Sequence, residues 1–254
     1  MHFERYGTGP HVFVGFHGWT GSHRTYAPLA PHLPSDVTLF AADLPGCGLS
    51  PVPDIWALEP IVNEVNRELD KVVPGAFTLI GNCSGAIMAL LSAPSVIERI
   101  NRLILIDPFA YMPWYFRIFL ADPWGRHVYA STFANPVGRW MTNMALRSKR
   151  TAETDLTDSF ATINHTVTYN YLKLFGSIQG IEQFGLLDKP IDIAYGEHTF
   201  GAIKASIPAW HRLWPHAEIW EMKGAGHLPI QEATGQVAGM IFNNEHQPVG
   251  RVPS

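Results

Sequence analysis

The residues best suited to chemistry form Gly81-Asn82-Cys83-Ser84-Gly85, which follows an apolar run and precedes a helical pattern. A strand that turns sharply into a helix in the pattern G-x-nucleophile-x-G exposes the central side chain, here Cys83. Small residues are needed two positions before and two after it, because larger side chains would collide with the neighbouring strand or helix. A turn centred on Ser84 would instead put Asn82 and Ala86 there. The frame predicts Cys83 as the nucleophile, with an inert buried cysteine as the alternative.

A histidine suited to be the general base lies late in the chain, in Lys223-Gly-Ala-Gly-His-Leu-Pro229. An imidazole beside a thiol at a helix N-terminus favours the reactive thiolate. We therefore predict that His227 is the base, with a loop histidine of no catalytic role as the alternative. The other histidines lack metal-ligand spacing such as H-E-x-x-H, so we predict no metal and no cofactor.

Short apolar runs alternate with longer helical patterns, which indicates an α/β fold with a mostly parallel, doubly wound sheet. The runs are almost continuously apolar, as expected when helices cover both faces of the sheet. The predicted strands are 11–16, 38–42, 77–80, 102–106, 191–195 and 217–221, and the predicted helices are 22–33, 60–73, 84–93, 202–213 and 234–242.

This alternation stops between residues 108 and 189, where the sequence is helical or irregular and rich in aromatic residues. An insertion of this length is too long for a plain loop and should contain its own helices. We predict that residues 108–189 form a helical cap over the end of the sheet. Residues 1–107 and 190–245 then form the core domain, and residues 246–254 a loose C-terminal tail.

Four segments, in this order and spacing, resemble the α/β-hydrolase superfamily, and the resemblance covers nearly all of the chain outside the cap. They are residues 14–20, 42–50, 81–85 and 223–229. The resemblance implies a sheet of the α/β-hydrolase type, with the cap inserted after the strand that this superfamily counts as the sixth. That strand corresponds here to residues 102–106.

The resemblance also implies how an oxyanion would be stabilised. In the family pattern, the backbone N–H of the residue after His-Gly is one donor, and that residue is Trp19. The second donor is the N–H of Ser84, directly after the nucleophile. His17 would support the oxyanion loop, while Asp43 and Cys47 would have structural roles in their turn.

The acid of the triad is where the chain departs from the family. The usual acid follows the strand at 191–195 in a pattern like G-E-x-D, but Thr199 occupies the position of that aspartate. Some family members carry the acid after the preceding strand, which makes Asp107 the substitute and Glu197 the alternative. Because aspartate at this strand end also occurs beside the usual acid, a structural role for Asp107 stays open.

A cysteine nucleophile restricts the substrate. When a thiolate attacks an alkyl ester, it is itself the better leaving group, so the intermediate returns to substrate. Thioesters and activated esters have leaving groups that compete with it. We therefore predict an enzyme that hydrolyses such a substrate or transfers its acyl group, through a Cys–His–Asp triad and an acyl-enzyme on Cys83. The alternative is a non-catalytic small-molecule-binding relative with a decayed triad.

The cap suggests the nature of the acyl group. Its aromatic residues include Tyr111, Trp124, Tyr129, Phe133 and Trp140, and most of them should form the core of the cap. Pockets in this fold open between the cap and the strand ends and are mostly apolar. We therefore expect an apolar or aromatic acyl group, either on a small molecule or on a carrier.

Composition limits the partners. The 254 residues are 46% hydrophobic and 16% charged, which is typical of a globular protein. A net charge of −4 gives no basic footprint for nucleic acid, and no apolar run approaches the length of a membrane span. The first residues do not resemble a signal peptide, and two cysteines make no disulfide framework, so we predict a cytoplasmic protein. The oligomeric state stays open.

Overall fold

A seven-stranded sheet with the order β1-β3-β2-β4-β5-β6-β7 occupies the centre of the protein. The computed structural model describes residues 1–243, without the side chain of Asn243, so the predicted tail at 246–254 lies outside the described residues. The strands are β1 (His2–Gly7), β2 (His11–Phe16), β3 (Val37–Asp43), β4 (Phe77–Asn82), β5 (Ile100–Ile106), β6 (Ile191–Gly196) and β7 (Glu218–Met222). Only β1 is antiparallel to its neighbour, which confirms the predicted mostly parallel sheet.

β1 is the strand that the sequence analysis did not predict. It forms one edge of the sheet, and none of its residues is buried. An edge strand of this kind lacks the continuous apolar run that marks the central strands. In this structure one strand, β1, precedes β2. The cap therefore follows β5, which is the strand that the superfamily counts as the sixth.

Helices flank the sheet and fill the chain between β5 and β6. The α-helices are α1 (Leu58–Val72), α2 (Ser84–Val96), α3 (Trp114–Arg117), α4 (Gly125–Tyr129), α5 (Pro136–Ala145), α6 (His165–Gly176), α7 (Gly201–Leu213), α8 (Pro229–Glu232) and α9 (Thr234–Ala238). Short 3-10 helices are His23–His32, Ile97–Arg99, Ile118–Leu120, Arg147–Lys149, Asp158–Ala161 and Glu182–Phe184, and π-helical turns are Ala130–Ala134 and Gly239–Asn243. Within residues 1–243 no helix combines the length and the apolar character that crossing a membrane requires.

Three of the predicted helices differ in detail from the observed ones. The segment predicted at 234–242 is α9 followed by the π-helical turn Gly239–Asn243. The segment predicted at 22–33 is a 3-10 helix that contains Pro28 and Pro31. Two prolines three residues apart remove two N–H donors within about one turn, which disfavours a continuous α-helical ladder there. α2 extends beyond its predicted end at residue 93, through Pro94 to Val96.

Two apolar cores lie on the two faces of the sheet. The larger core includes Ile61 and Leu69 of α1, Met88 of α2 and Trp210 of α7, all fully buried. On the other face, residues such as Tyr26 and Val237 pack against the sheet. This two-sided covering is the reason that β4 is buried at all six positions.

The cap has an aromatic core of its own. Phe119, Tyr129, Phe133 and Phe160 are buried there together with Leu172. Other aromatic residues of the cap do not follow the expectation. Tyr111, Trp124 and Trp140 are exposed. The domain boundaries at 108 and 189 remain a prediction.

Candidate active site

The turn between β4 and α2 holds Cys83 in an unusual backbone conformation. Its φ of 54° and ψ of −118° lie in a backbone region that residues other than glycine rarely adopt. The backbone N–H of Cys83 donates to the carbonyl of Ile106, at 2.7 Å, which ties the turn to the end of β5. A Cβ at Gly81 would lie 2.3 Å from Cα of Ala86, and one at Gly85 would lie 2.2 Å from the carbonyl oxygen of Phe16. These contacts explain why the turn requires both glycines.

His227 and Asp107 are brought together at the same edge of the sheet. Nδ1 of His227 lies 2.8 Å from Oδ2 of Asp107, whose side chain is fully buried. The second carboxylate oxygen accepts the backbone N–H of Gly196 at 3.0 Å, and the backbone N–H of Asp107 donates to Ala194 at 2.7 Å. Hydrogen bonds to β6 therefore hold Asp107 in place at the end of its own strand. Its backbone has a φ of 51°, in the left-handed region.

Thr199 lies against this pair, a position that the sequence analysis did not predict. Its hydroxyl donates to Oδ2 of Asp107, the oxygen that also contacts His227. Oγ1 of Thr199 is 3.4 Å from Nδ1 of His227. The residue in place of the family's usual aspartate is thus a hydrogen-bond donor to the carboxylate that contacts the imidazole.

Glu197, the alternative acid, points elsewhere. Its carboxylate accepts the backbone N–H of Gly224 at 2.9 Å. That hydrogen bond lowers the pKa of Glu197. Of the two acids considered from sequence, the structure places Asp107 beside His227.

The surroundings of His227 favour its charged form. Burial by itself lowers the pKa of the imidazole. A negative charge on Cys83 and the hydrogen bond to Asp107 act in the opposite direction, and together they raise the pKa of His227 to about 10. The imidazole thus lies between a thiol and a carboxylate, and an imidazolium is stable there at neutral pH.

The loop after β2 approaches Cys83 closely. A Cβ at Gly18 would lie 3.0 Å from Cβ of Cys83. His17 is buried behind the loop, where its Nδ1–H donates to the carbonyl of Gly18 at 2.8 Å and its Nε2 accepts the N–H of Leu44 at 3.1 Å. Burial lowers the pKa of His17, so the ring stays neutral. This arrangement agrees with the supporting role expected of His17.

Trp19 and Ser84 line the same cavity as Cys83. Within residues 1–243, neither backbone N–H donates to another loop, turn or side chain. The indole N–H of Trp19 donates to the carbonyl of Thr168 in α6, at 2.8 Å, so the loop is fastened to the cap. That these two N–H groups stabilise an oxyanion remains a prediction.

The turn at 43–50 contains the second cysteine, Cys47, and a buried carboxylate, Asp43. Asp43 is buried and accepts the backbone N–H groups of His23 and Leu49, at 2.6 and 2.8 Å. These contacts agree with the structural role expected for Asp43. Burial raises the pKa of the Cys47 thiol to about 12, so this thiol stays protonated.

Glu232 is a further residue that sequence reasoning missed. One carboxylate oxygen accepts the N–H of Gly226 at 2.6 Å, and the other accepts the N–H of Thr151 in the cap at 2.8 Å. The backbone N–H of His227 itself donates to the carbonyl of Lys149 at 2.8 Å. The loop that carries His227 is therefore bound to the cap directly through Lys149 and indirectly through Glu232, which bridges Gly226 and Thr151.

A cavity of about 1700 Å³ lies beside Cys83 and His227. The cap supplies much of its apolar lining, with Tyr115, Phe116, Phe119, Phe133, Phe160 and Leu172. A space of this volume can accept a ligand much larger than a short acyl group.

One group of potential metal ligands occurs in residues 1–243. Ligand atoms of His2, Glu4 and His23 lie within 4.8 Å of one another. His23 is also bound to Asp43, at 2.9 Å from its Nδ1. The group includes neither Cys83 nor His227, so no step at the candidate active site involves it.

Comparison with known proteins agrees with this fold. Residues 12–240 match the model of the "Alpha/beta hydrolase family". The chain therefore belongs to the alpha/beta hydrolase family.

Among curated relatives, the chain is 32% identical over 109 residues to Lipase LipV of Mycobacterium tuberculosis (strain ATCC 25618 / H37Rv). That match covers 42% of this chain and 41% of the lipase. A second relative is a pimeloyl-[acyl-carrier protein] methyl ester esterase of Aeromonas hydrophila, which is 23% identical over 248 residues. This alignment covers 89% of this chain and 92% of the esterase.

Solved structures show the same fold. MenH from S. aureus superposes with a TM-score of 0.75 at 20% identity, covering 94% of this chain and 96% of MenH. A thermophilic esterase from Thermogutta terrifontis also gives a TM-score of 0.75 at 20% identity, over 94% of this chain and 90% of the esterase. At this level of identity, the similarity establishes the fold alone.

Proposed function

We propose that the protein hydrolyses thioesters or activated esters, or transfers their acyl groups, with Cys83 as the nucleophile. The observation that carries this proposal is the array in which the His227 imidazole lies between Cys83 and Asp107, with Nδ1 2.8 Å from Oδ2 of the carboxylate. A thiol, an imidazole and a carboxylate in this order constitute a nucleophile, a base and an orienting acid.

In the first half-reaction the Cys83 thiolate attacks the acyl carbon and forms a tetrahedral oxyanion. The backbone N–H groups of Trp19 and Ser84 stabilise that charge. When the intermediate collapses, the bond to the leaving group breaks, the imidazolium of His227 donates its proton to the departing thiolate or enolate, and an acyl-Cys83 thioester remains.

In the second half-reaction His227 takes a proton from water or from another acceptor, which attacks the acyl-Cys83 carbonyl. The second intermediate expels the Cys83 thiolate, and the acid or the new ester leaves. Asp107 holds the imidazole in the required tautomer and stabilises its charged form throughout.

The substrate class follows from the leaving group and from the cavity. A thiolate displaces another thiolate or an enolate far better than an alkoxide, which favours thioesters and activated esters. The aromatic lining of the cavity favours an apolar or aromatic acyl group. The lipase and the methyl ester esterase among the relatives support acyl-ester chemistry in general. The second of them supports a carrier-bound acyl group as one form of the substrate.

Intact-mass analysis with a panel of acyl thioesters and aryl esters tests the proposal. We expect an acyl adduct on the wild-type chain and on Cys47→Ala, the matched control, but none on Cys83→Ala. Turnover should disappear in Cys83→Ala alone. If the panel yields neither adduct nor turnover, while ligands still bind in the cavity, the chain is a non-catalytic binding protein instead.

A further inference from the structure

The outer face of α5 (Pro136–Ala145) is apolar, although it faces solvent. Val137, Trp140, Met141 and Met144 recur at the spacing of one helical face and are 64%, 66%, 61% and 47% exposed. We call these four side chains the α5 stripe. A helix that packs normally would turn this face inward, so the stripe is unpartnered in the isolated chain.

The opposite side of α5 is already occupied. Thr142 and Leu146, just past its end, line the cavity beside Cys83, whereas no residue of the α5 stripe does. Gly138 packs so closely that a Cβ there would lie 1.9 Å from the carbonyl oxygen of Ser131. Asn135 caps the helix by accepting the N–H groups of Val137 and Gly138. These contacts fix the rotation of α5 and keep the stripe outside.

The segment around α5 is strongly basic in an acidic protein. Between Asp122 and Glu153 there is no Asp or Glu, and five cationic residues occur in a chain of net charge −4. They are Arg126, Arg139, Arg147, Lys149 and Arg150. Within residues 1–243 none of the five pairs with a carboxylate. The exposed apolar side chains concentrate here as well, since eight of the twelve large ones described lie between Tyr111 and Met144.

We propose that the α5 stripe docks the cap onto an anionic lipid surface, with Trp140 and the two methionines entering the lipid and the neighbouring cations facing the headgroups. Arg126 and Arg147 are exposed, whereas Arg139, Lys149 and Arg150 are half-buried and donate to backbone carbonyls. An apolar stripe with tryptophan beside exposed Arg side chains is the composition of helices that lie in a membrane interface. Juxtaposed cations also favour anionic over neutral lipids. A second copy of this chain or an acidic protein are the rival occupants, and the experiment separates them.

Flotation with vesicles tests the proposal on the full chain. The probes are phosphatidylcholine vesicles, and vesicles with roughly a third phosphatidylglycerol. The wild-type chain should float with the anionic vesicles, bind the neutral ones much more weakly, and lose binding as salt is added. Trp140→Ser/Met141→Ser/Met144→Ser should weaken binding by roughly tenfold or more, and Arg147→Ser by about fivefold.

Matched controls change equally exposed residues outside the segment. Ile55→Ser/Leu186→Ser removes two apolar side chains that are 62% and 97% exposed, and Arg212→Ser removes an exposed cation on α7. Both should bind anionic vesicles like the wild type. A circular dichroism melt and turnover of a water-soluble thioester should be unchanged in the stripe variant, since none of its three side chains lines the cavity.

Equal flotation with neutral and anionic vesicles, no flotation at all, or wild-type binding by the stripe variant would each overturn the proposal. If the protein does not bind vesicles, and light scattering shows a dimer that Trp140→Ser/Met141→Ser/Met144→Ser dissociates, the α5 stripe is a dimer interface. If the variant impairs turnover only of substrates on an acidic carrier protein, and vesicles do not bind, the partner is that protein. These results are independent of whether Cys83 is the nucleophile.

Discussion

The ends of β5 and β6 lie at the same edge of the sheet, but they present different side chains to His227, a carboxylate in one case and a hydroxyl in the other. β5 ends in Asp107, a fully buried carboxylate 2.8 Å from the imidazole. β6 ends beside Thr199, which contributes a hydroxyl, while the carboxylate of Glu197 bonds to Gly224. The comparison shows that the carboxylate beside the imidazole comes from the end of β5, while the end of β6 supplies the hydroxyl that binds this carboxylate.

Asp107→Asn should have the largest effect, because it removes the charge beside the imidazole while it keeps the size of the side chain. Loss of the acid costs serine enzymes about four orders of magnitude in turnover, and a Cys–His pair should lose less, on the order of two to four. The measurement is kcat/KM on the best thioester of the panel, with a thermal melt to show that the fold persists. A loss below about tenfold would assign Asp107 to a structural role.

The rate at which iodoacetamide labels Cys83, compared with Cys47, should also depend on Asp107 at the end of β5. The neighbours of His227 raise its pKa to about 10, so the imidazolium persists through neutral pH and disappears only above that value. Iodoacetamide at pH 7 should therefore label Cys83 at least about tenfold faster than Cys47, whose pKa burial raises to about 12. His227→Ala and Asp107→Asn should slow the labelling of Cys83. Equal labelling rates of Cys83 and Cys47 in the wild type and in all variants would contradict activation of Cys83 by His227.

Moving the acid from β5 to β6 gives the sharpest test of the comparison. Asp107→Asn/Thr199→Asp places a carboxylate at the family's usual position and an amide at the observed one. We expect it to recover at least about tenfold in kcat/KM over Asp107→Asn, which corresponds to about 1.4 kcal/mol. Thr199→Asp alone puts two carboxylates side by side, so it should destabilise the chain. A double variant no better than Asp107→Asn would show that position 199 cannot orient the imidazole.

Thr199→Val should have a moderate effect. It removes the hydroxyl that donates to Asp107 and leaves the carboxylate in place. One hydrogen bond to a charged group contributes about 1.5–3 kcal/mol, so activity should fall roughly tenfold to a hundredfold if the bond positions the acid. Thr199→Ser keeps the hydroxyl and should restore most of the activity. A loss in Thr199→Ser as large as the loss in Thr199→Val would show that removal of the hydroxyl does not by itself account for the effect.

Glu197→Gln should have the smallest effect of the series, below about twofold in kcat/KM, because its carboxylate is exposed and bound to Gly224. The same assay and melt provide the measurement. A large loss in Glu197→Gln, with Asp107→Asn nearly active, would reverse the assignment of the acid.

Local sequence was sufficient for the features that depend on neighbouring residues. Gly81 and Gly85 lie two positions before and two after Cys83 in one strand–turn–helix segment, so their spacing is visible in the chain, although the carbonyl that excludes a Cβ at Gly85 belongs to Phe16 of β2. The central strands are equally visible, because burial on both faces demands continuous apolar runs. For the same reason β1 was missed, since an edge strand with no buried residue has no such run.

What sequence could not decide depends on contacts across long separations. Asp107 and His227 are 120 residues apart, and only the parallel arrangement of β5 and β6 shows which acid reaches the imidazole. The hydroxyl of Thr199 and the carboxylate of Glu232 acquire their partners in the same way. Composition shows that the cap is aromatic, but only the packing of its helices decides that Trp140 of α5 faces solvent while Phe133 of the preceding turn is buried. The spacing of small and apolar residues is fixed by local geometry, whereas hydrogen-bond partners and exposed faces are fixed only when distant segments pack together.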